Sequence, residues 1–149
     1  MPIPRFLTED NPSAGPLCIL LIRLTTGLIF LHAGMQKFLF PDDRGAGRFE
    51  EIGFPLPGLV SSFVGFFEML SGTLLVLGLM TRLAAVPPLV IMVVAILTTK
   101  LPVFAAEGFW AGTHAARLDW TMLVCSLVLI LYGAGMLSFD RWMNRGRRG

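Results

Sequence analysis

Residues 17–39, LCILLIRLTTGLIFLHAGMQKFL, decide the fold class of this chain. Apart from Arg23, His32 and Lys37, almost all of these residues are apolar or small. A bilayer core of about 30 Å is crossed by about 20 such residues in a helix. The stretch therefore predicts a membrane-spanning helix that carries ionisable groups.

The rest of the chain is similarly apolar. Hydrophobic residues make up 54% of the 149 residues, charged residues make up 15%, and the mean hydropathy is +0.71. A soluble domain of this composition would expose large apolar patches, so we expect lipid to surround it. Three further segments have the length of a span, at residues 59–80, 83–101 and 118–137. We therefore expect one all-α domain over residues 1–149, folded as an antiparallel four-helix transmembrane bundle.

The segments between the spans differ in character. Residues 41–58 are too polar and too rich in Gly and Pro to span, and Thr81-Arg82 predicts a tight turn between the second and third spans. Residues 102–117 contain Phe104, Phe109 and Trp110, which favour an interfacial or re-entrant segment.

The distribution of basic residues predicts the orientation. Arginines cluster directly after the last span, at Arg141, Arg145, Arg147 and Arg148. Cytoplasmic flanks of membrane helices carry an excess of Lys and Arg, so we expect both termini to be cytoplasmic. The tail is expected to anchor the chain at that surface rather than to bind RNA, and no nucleic-acid partner is predicted.

The two cysteines, Cys18 and Cys125, both lie in apolar runs and form no CxxC motif. Neither a redox dithiol nor a zinc ribbon is therefore expected. We predict two buried free thiols that behave as small hydrophobic side chains.

Helical phase separates the ionisable groups of the first span. At 100° per residue, one stripe of that helix contains Arg23, Gly27, Phe30, Gly34 and Lys37. His32 lies on the opposite stripe with Thr25 and Gln36. In the second span, one face of small residues surrounds a single carboxylate: Ser61, Gly65, Glu68 and Gly72. Small residues let helices approach closely, so this face is expected to pack against a neighbour.

Depth along the helices then suggests two polar layers. With about 1.5 Å of rise per residue, Glu68 and His32 are predicted to lie near mid-membrane. Arg23 begins about two turns nearer the cytoplasm, but its long side chain could reach the same level. The central layer is expected to hold Glu68 with either Arg23 or His32. The outer layer is expected to hold Lys37 and Asp119, with His114 as a further member, and Lys100 lies at a similar depth.

Structural explanations compete with functional ones at each position. Arg23 and Lys37 can direct their charges toward the two membrane surfaces, His32 can be a core histidine, and Asp119 can favour a helix N-terminus. Glu68 is harder to explain in this way, because a short carboxylate at mid-membrane cannot reach the interface. We predict that Glu68 and His32 are catalytic and that Arg23, Lys37 and Asp119 bind a ligand.

Metal and phosphate chemistry is not favoured. The available ligands have neither HxxxH nor ExxH spacing, so no metal site is predicted. The glycine-containing segments at residues 112–114 and 133–135 do not follow strands, so they are not predicted to be phosphate-binding loops. A single mid-span histidine is weak evidence for haem.

Four motifs carry a resemblance to a known family. They are LLIRLTTGLIFLHAGMQKF, GFPLPG, FFEMLSGTLLVLGLMTRLAA and GAGMLSFD, in this order along the chain. In order and spacing they resemble the DoxX family. The resemblance implies a four-helix protein of the bacterial inner membrane, with polar family positions at Arg23, His32, Lys37, Glu68 and Arg82. The carboxylate at the start of the family's fourth helix, often Glu, falls on Asp119, whose side chain is shorter.

The resemblance also implies a link to redox chemistry, since relatives include subunits of a thiosulfate:quinone oxidoreductase and a partner in superoxide and thiol detoxification. We therefore expect a redox-complex subunit that offers a quinone pocket to a soluble or membrane oxidoreductase partner. His32 or Glu68 would exchange a proton, Arg23 or Lys37 would bind the carbonyl oxygens, and aromatic walls would come from Phe30, Phe38, Phe66, Phe67 and Trp120. No intrinsic cofactor is expected, because the sequence shows no redox centre of its own, and quinone is the cofactor that this function implies.

Two other functions stay open. One is a non-catalytic membrane scaffold or assembly protein, in which the buried charges only fix the helix register. The other is a small carrier with Glu68 as the proton site. Four spans are few for transport, so a carrier would require a homo-oligomer.

Overall fold

The computed structural model describes residues 14–140, and all regular structure in that range is helical. The helices are α1 (Ala14–Leu39), α2 (Ala46–Glu51), α3 (Pro57–Leu77), α4 (Thr81–Ala84), α5 (Val86–Ala95), α6 (Leu101–Glu107) and α7 (Phe109–Tyr132), with a π-helical turn, Ile96–Lys100, between α5 and α6. The arginine cluster after residue 140 lies outside the described residues.

Four helical segments are long and apolar enough to cross a membrane, which confirms the predicted fold class. They are Gly15–Leu39, Pro57–Leu77, Thr81–Glu107 and Phe109–Tyr132. Consecutive spans run in opposite directions. The start of α1, the α3–α4 turn and the end of α7 therefore share one end of the bundle, which we name the terminal end. The opposite end, with α2 and the α6–α7 turn, is the loop end. Which end faces the cytoplasm stays a prediction.

Glycines bring α1 and α3 into backbone contact. A Cβ added to Gly34 would lie 2.7 Å from the carbonyl oxygen of Gly65, and one added to Gly27 would lie 2.9 Å from that of Gly72. Glycine is thus required at these crossings, because any side chain would push the helices apart. The predicted small-residue face of the second span is confirmed, as Ser61, Gly65, Glu68 and Gly72 are all buried.

The third span is longer than the predicted residues 83–101 and continues through Pro102 to Glu107. Proline has no N–H to donate to the carbonyl four residues earlier. The helix accommodates this by widening into the π turn, where Leu101 N donates to Ile96 O, and then continues as α6. Of the two alternatives predicted for residues 102–117, the re-entrant segment is therefore wrong, and an interfacial position of the hairpin tip stays a prediction.

The fourth span is also displaced from the predicted residues 118–137. Gly108 makes the turn into α7 with φ +85°, a left-handed value that favours glycine. The ring of Phe104 then packs directly on Gly112 and closes the α6–α7 hairpin. Since α7 begins at Phe109 and ends at Tyr132, Asp119 lies well inside the helix rather than at its start.

The closest apolar packing lies near the terminal end, around Leu75, Ala84, Ala85 and Leu129. Many large apolar side chains of the spans are exposed instead, as a lipid environment allows. Cys18 is among the exposed residues of α1, so the prediction that both thiols are buried is wrong for it, while Cys125 is half-buried. Both cysteines are free thiols, as predicted.

Candidate functional site

A buried ion pair joins α1 and α3 within the membrane-spanning part of the chain. Lys37 Nζ donates to Glu68 Oε2 at 2.6 Å. The side chain of Glu68 is 4% exposed and that of Lys37 is 14% exposed. A buried charge is costly without a partner, and each residue supplies the counter-charge of the other. The predicted alternatives for the partner of Glu68, His32 and Arg23, are both wrong.

The direction of side chains in a helix explains this pairing. Lys37 packs level with Gly65, one helical turn nearer the loop end than Glu68. Helical side chains lean toward the N-terminus of their own helix. Lys37 therefore leans from the loop end toward the membrane centre, while Glu68, on an antiparallel helix, leans toward the loop end. The two charges meet between their Cα levels.

One aromatic side chain, Phe38, lies beside this pair, and a separate cluster of phenylalanines lies on α3. The Phe38 ring and the Lys37 side chain both pack against Gly65, and a Cβ there would lie 2.9 Å from the Phe38 ring. Three phenylalanines of α3 form a ring cluster, with centroids 4.7 Å apart for Phe63 and Phe67 and 5.6 Å apart for Phe66 and Phe67. Phe38, Phe63 and Phe66 are exposed. Of the other predicted wall residues, Phe30 is buried and Trp120 is exposed on α7.

A second ion pair joins the other two spans. Lys100 Nζ lies 3.4 Å from Asp119 Oδ2, with both side chains largely buried. The π turn ends at Lys100, and a π turn rotates the following residues relative to a regular helix. Lys100 is therefore the partner of Asp119, and the placement of Asp119 in one outer layer with Lys37 stays a prediction. The interpretation of Asp119 as a helix N-terminal residue is also wrong, since α7 starts at Phe109.

His32 is exposed on the outer face of α1, as the phase analysis predicts. Its Nε2 lies 3.0 Å from Gln36 Nε2, one turn further along the same helix. Lys37, five positions later, faces inward toward α3. His32 therefore makes no hydrogen bond with Glu68, whose partner is Lys37. The catalytic role of His32 stays a prediction. His114 bonds to Arg117 on the exposed surface of α7 and is likewise apart from Lys37.

Arg23 is buried at the terminal end and holds the segment that follows α7. Its Nη1 donates to the carbonyl oxygen of Ala134 at 2.8 Å and its Nη2 to that of Leu137 at 2.9 Å. The guanidinium also packs against Gly78 so closely that no side chain fits there. Leaning toward the N-terminus of α1 directs Arg23 away from Glu68. The proposed central layer containing both residues is therefore wrong.

Asp140 completes this terminal clasp, which consists of Arg23, Gly78, Ala134, Leu137 and Asp140. Its carboxylate accepts hydrogen bonds from Met80 N at 2.7 Å and Thr81 N at 3.0 Å, and its own N donates to Gly78 O at 3.1 Å. The carboxylate thus caps the first turn of α4. Sequence reasoning found the motifs around Gly78 and Asp140 but assigned no role to Asp140. Its position, in the short polar segment after the last span, gives no periodic signal.

The arrangement as a whole contains two lysine–carboxylate pairs in the membrane and one arginine clasp at the terminal end. Of the five predicted site residues, only Lys37 and Glu68 are brought together. The pair offers N–H donors on Lys37 beyond the one that binds Glu68, and a carboxylate that can exchange a proton. These are the kinds of group that bind and protonate an oxygen-bearing head group.

Comparisons with known proteins agree with the four motifs. The family model described as DoxX matches residues 18–101, which cover the first three predicted spans. "Uncharacterized membrane protein Rv3486" of Mycobacterium tuberculosis is 45% identical over 148 residues, covering 95% of this chain and 88% of the relative. "Putative oxidoreductase CatD" of Bacillus subtilis is 30% identical over 129 residues, covering 87% of this chain and 89% of the relative. A comparison with solved structures finds no significant match.

The matches extend beyond the family model to the fourth span, because both relatives align over most of the chain. The family assignment and the four apolar helices agree on a multi-pass protein of a membrane. This chain belongs to the DoxX family of membrane proteins.

Proposed function

We propose that this protein is an integral subunit of a redox system in the bacterial inner membrane, and that it offers a quinone-binding surface to a partner oxidoreductase. The Lys37–Glu68 ion pair carries the proposal. Two charges lie between membrane-spanning helices with the exposed Phe38 ring next to them. This arrangement combines an apolar contact with the few polar groups that such head groups need. The name of the Bacillus subtilis relative supports a redox association.

The roles of the two residues follow from their donors and acceptors. Lys37 Nζ has three N–H donors, one of which is used by Glu68, so it can also donate to a carbonyl oxygen. Glu68 can give or take the proton that accompanies reduction or oxidation of that oxygen. Quinones, when bound, supply two-electron, two-proton chemistry, and the electrons come from the partner oxidoreductase. Phe38 and Phe66 would provide the apolar contact to the ring.

Photolabelling with an azidoquinone in membranes tests the location of this surface. Labelled peptides are expected from α1 around Phe38 and from α3 around Phe66. Labelling that falls only on α5 or α7, or that is not displaced by excess decylubiquinone, would contradict the proposal.

Binding of decylubiquinone to the purified protein tests the ion pair directly. Glu68→Gln and Lys37→Met are expected to weaken binding by about tenfold, because each removes a charge-assisted interaction. Glu51→Gln is the matched control, since Glu51 is an exposed carboxylate on α2. Equal affinities in all three variants would contradict the role of the pair.

A non-catalytic membrane scaffold is the second candidate, and the terminal clasp favours it. The hydrogen bonds of Arg23 and Asp140 join segments of the same chain and stabilise its fold. Under this function, Glu68→Gln would reduce assembly of the partner complex without any effect on quinone binding. Blue native gels of the partner complex, run beside the binding assay, separate the two functions.

The orientation is proposed with both termini in the cytoplasm. A reporter fused after residue 149 is expected to be active on the cytoplasmic side, while a reporter inserted in the α6–α7 turn at Gly108 is expected on the opposite side. Reversal of both signals would contradict this orientation.

A further inference from the structure

One face of α1 is exposed along the whole span and contains polar side chains. Its residues recur at alternating intervals of three and four positions, which is the heptad pattern of a helix–helix seam. We name this face the outer seam; it consists of Cys18, Leu21, Thr25, Leu28, His32, Met35 and Leu39, all of them exposed.

His32 lies inside the hydrocarbon region. It precedes the end of α1 at Leu39 by about 10 Å at 1.5 Å per residue, and the helix is longer than a bilayer core requires. An ionisable side chain at that depth is rare on a lipid-facing surface, because polar groups in membranes face other helices or water. The exposed position of His32 therefore indicates that another helix covers the outer seam.

The hydrogen bond between His32 and Gln36 indicates which polar groups the outer seam presents to a covering helix. With a neutral imidazole, each of the two side chains can both donate and accept, and the bond between them uses one donor and one acceptor. In either tautomer of His32 the pair therefore keeps at least one free donor and one free acceptor. A surface with one donor and one acceptor side by side is complementary to a copy of itself under two-fold rotation.

We propose that the protein forms a homodimer through the outer seam of α1, with His32 and Gln36 of the two copies bonded across the two-fold axis. Both copies insert in the same orientation, so the axis is normal to the membrane and the two α1 helices are parallel. Seam positions then face their own equivalents, with apolar layers at Leu21, Leu28 and Met35. The polar layer fixes the register. This interface is independent of the proposed quinone surface, because Lys37 and Glu68 lie on the opposite, α3-facing side of α1.

Cysteine cross-linking of the full chain in native membranes tests the dimer. In a Cys18→Ala, Cys125→Ala background, Leu28→Cys is expected to give a disulfide-linked dimer with copper phenanthroline, since seam residues of a parallel pair lie within disulfide reach. Val94→Cys is the matched control, as Val94 is exposed at a similar depth on the third span. The wild-type chain is expected to cross-link through Cys18.

Two results would overturn the proposal. One is absence of cross-linking at both Cys18 and Leu28→Cys. The other is equal cross-linking at Leu28→Cys and Val94→Cys, which would indicate random collision in the membrane.

The polar layer is tested by His32→Leu combined with Gln36→Leu in the Leu28→Cys background. Both residues are outside the α1–α3 contact, so folding should be retained, and the melting temperature checks this. Fluorescence energy transfer between labelled copies in liposomes is expected to show about tenfold weaker association. Unchanged association would contradict the proposed polar contact, and so would co-purification of a different membrane protein on this face in place of the second copy.

Discussion

Lys37 Nζ and Glu68 Oε2 are 2.6 Å apart although the two residues are one helical turn apart in depth. Each side chain leans toward the start of its own helix, and the two helices are antiparallel. The pair thus neutralises two charges within the densest helix contact of the bundle.

Substituting one residue of this ion pair is expected to destabilise the fold more than substituting both. Lys37→Met or Glu68→Leu alone leaves an uncompensated buried charge, which costs about 3–5 kcal/mol. The double variant is expected to regain most of that stability. Unfolding in mixed micelles with increasing SDS measures the double-mutant cycle. Additive losses would show that the two side chains do not interact in the membrane.

Gly34→Ala is expected to destabilise the bundle by about 1–3 kcal/mol, because the added Cβ would overlap the backbone of Gly65 and Met69. Gly58→Ala is the control on α3, where no atom lies within 4 Å of the added Cβ. Gly58→Ala should leave stability unchanged or slightly raise it. The same SDS titration measures both variants, and an equal effect would contradict the close α1–α3 contact.

Arg23→Gln is expected to loosen the terminal clasp. Losing two hydrogen bonds from a charged group should speed amide exchange at Asp140 about tenfold to a hundredfold, since that amide donates to Gly78. Hydrogen exchange with mass spectrometry measures this. Arg82→Gln is the control, because Arg82 is exposed and donates one longer bond, of 3.2 Å, to Leu131 O. Unchanged exchange in Arg23→Gln would show that the clasp is held by other contacts.

Pro102→Ala is expected to convert the π turn into a regular helix. A π turn contains one more residue than an α turn, so its conversion rotates Lys100 by up to about 100° relative to the preceding residues. This rotation is expected to weaken the contact between Lys100 and Asp119. Asp119→Asn should then be destabilising in the natural sequence and nearly neutral in the Pro102→Ala background. The free energies of unfolding of the four variants in this cycle test whether the π turn positions Lys100 against Asp119. An equal cost of Asp119→Asn in both backgrounds would contradict this role of the π turn.

Periodicity in the sequence was sufficient to predict which faces are buried. Arg23, Gly27, Phe30, Gly34 and Lys37 form one inward stripe, and His32 points outward as expected. Helical phase depends only on the spacing along the chain, so no knowledge of neighbours is needed.

Partners were harder to predict than faces. Depth along the helix predicts Lys37 near the outer interface, away from Glu68, and allows Arg23 to reach Glu68 only if its side chain leans toward the membrane centre. In a helix the lean is fixed toward the N-terminus, which reverses both assignments. Applied to the sequence, this rule would have paired Lys37 with Glu68.

The limits of the third and fourth spans could not be predicted for a different reason. Pro102 and the aromatic residues that follow it are typical of a loop, yet the π turn absorbs the proline and Gly112 accommodates the Phe104 ring. The contact between Phe104 and Gly112 is made across the hairpin, so local sequence preferences do not contain it.

The partners of Arg23 are synthesised last. Ala134 and Leu137 follow it by 111 and 114 positions. During insertion, the first span must enter the membrane with a guanidinium whose final acceptors do not yet exist, and water or lipid head groups at the membrane surface have to serve until the last span arrives. A chain truncated before residue 134 therefore lacks both carbonyl acceptors of Arg23 and leaves a charged group of its first span without them.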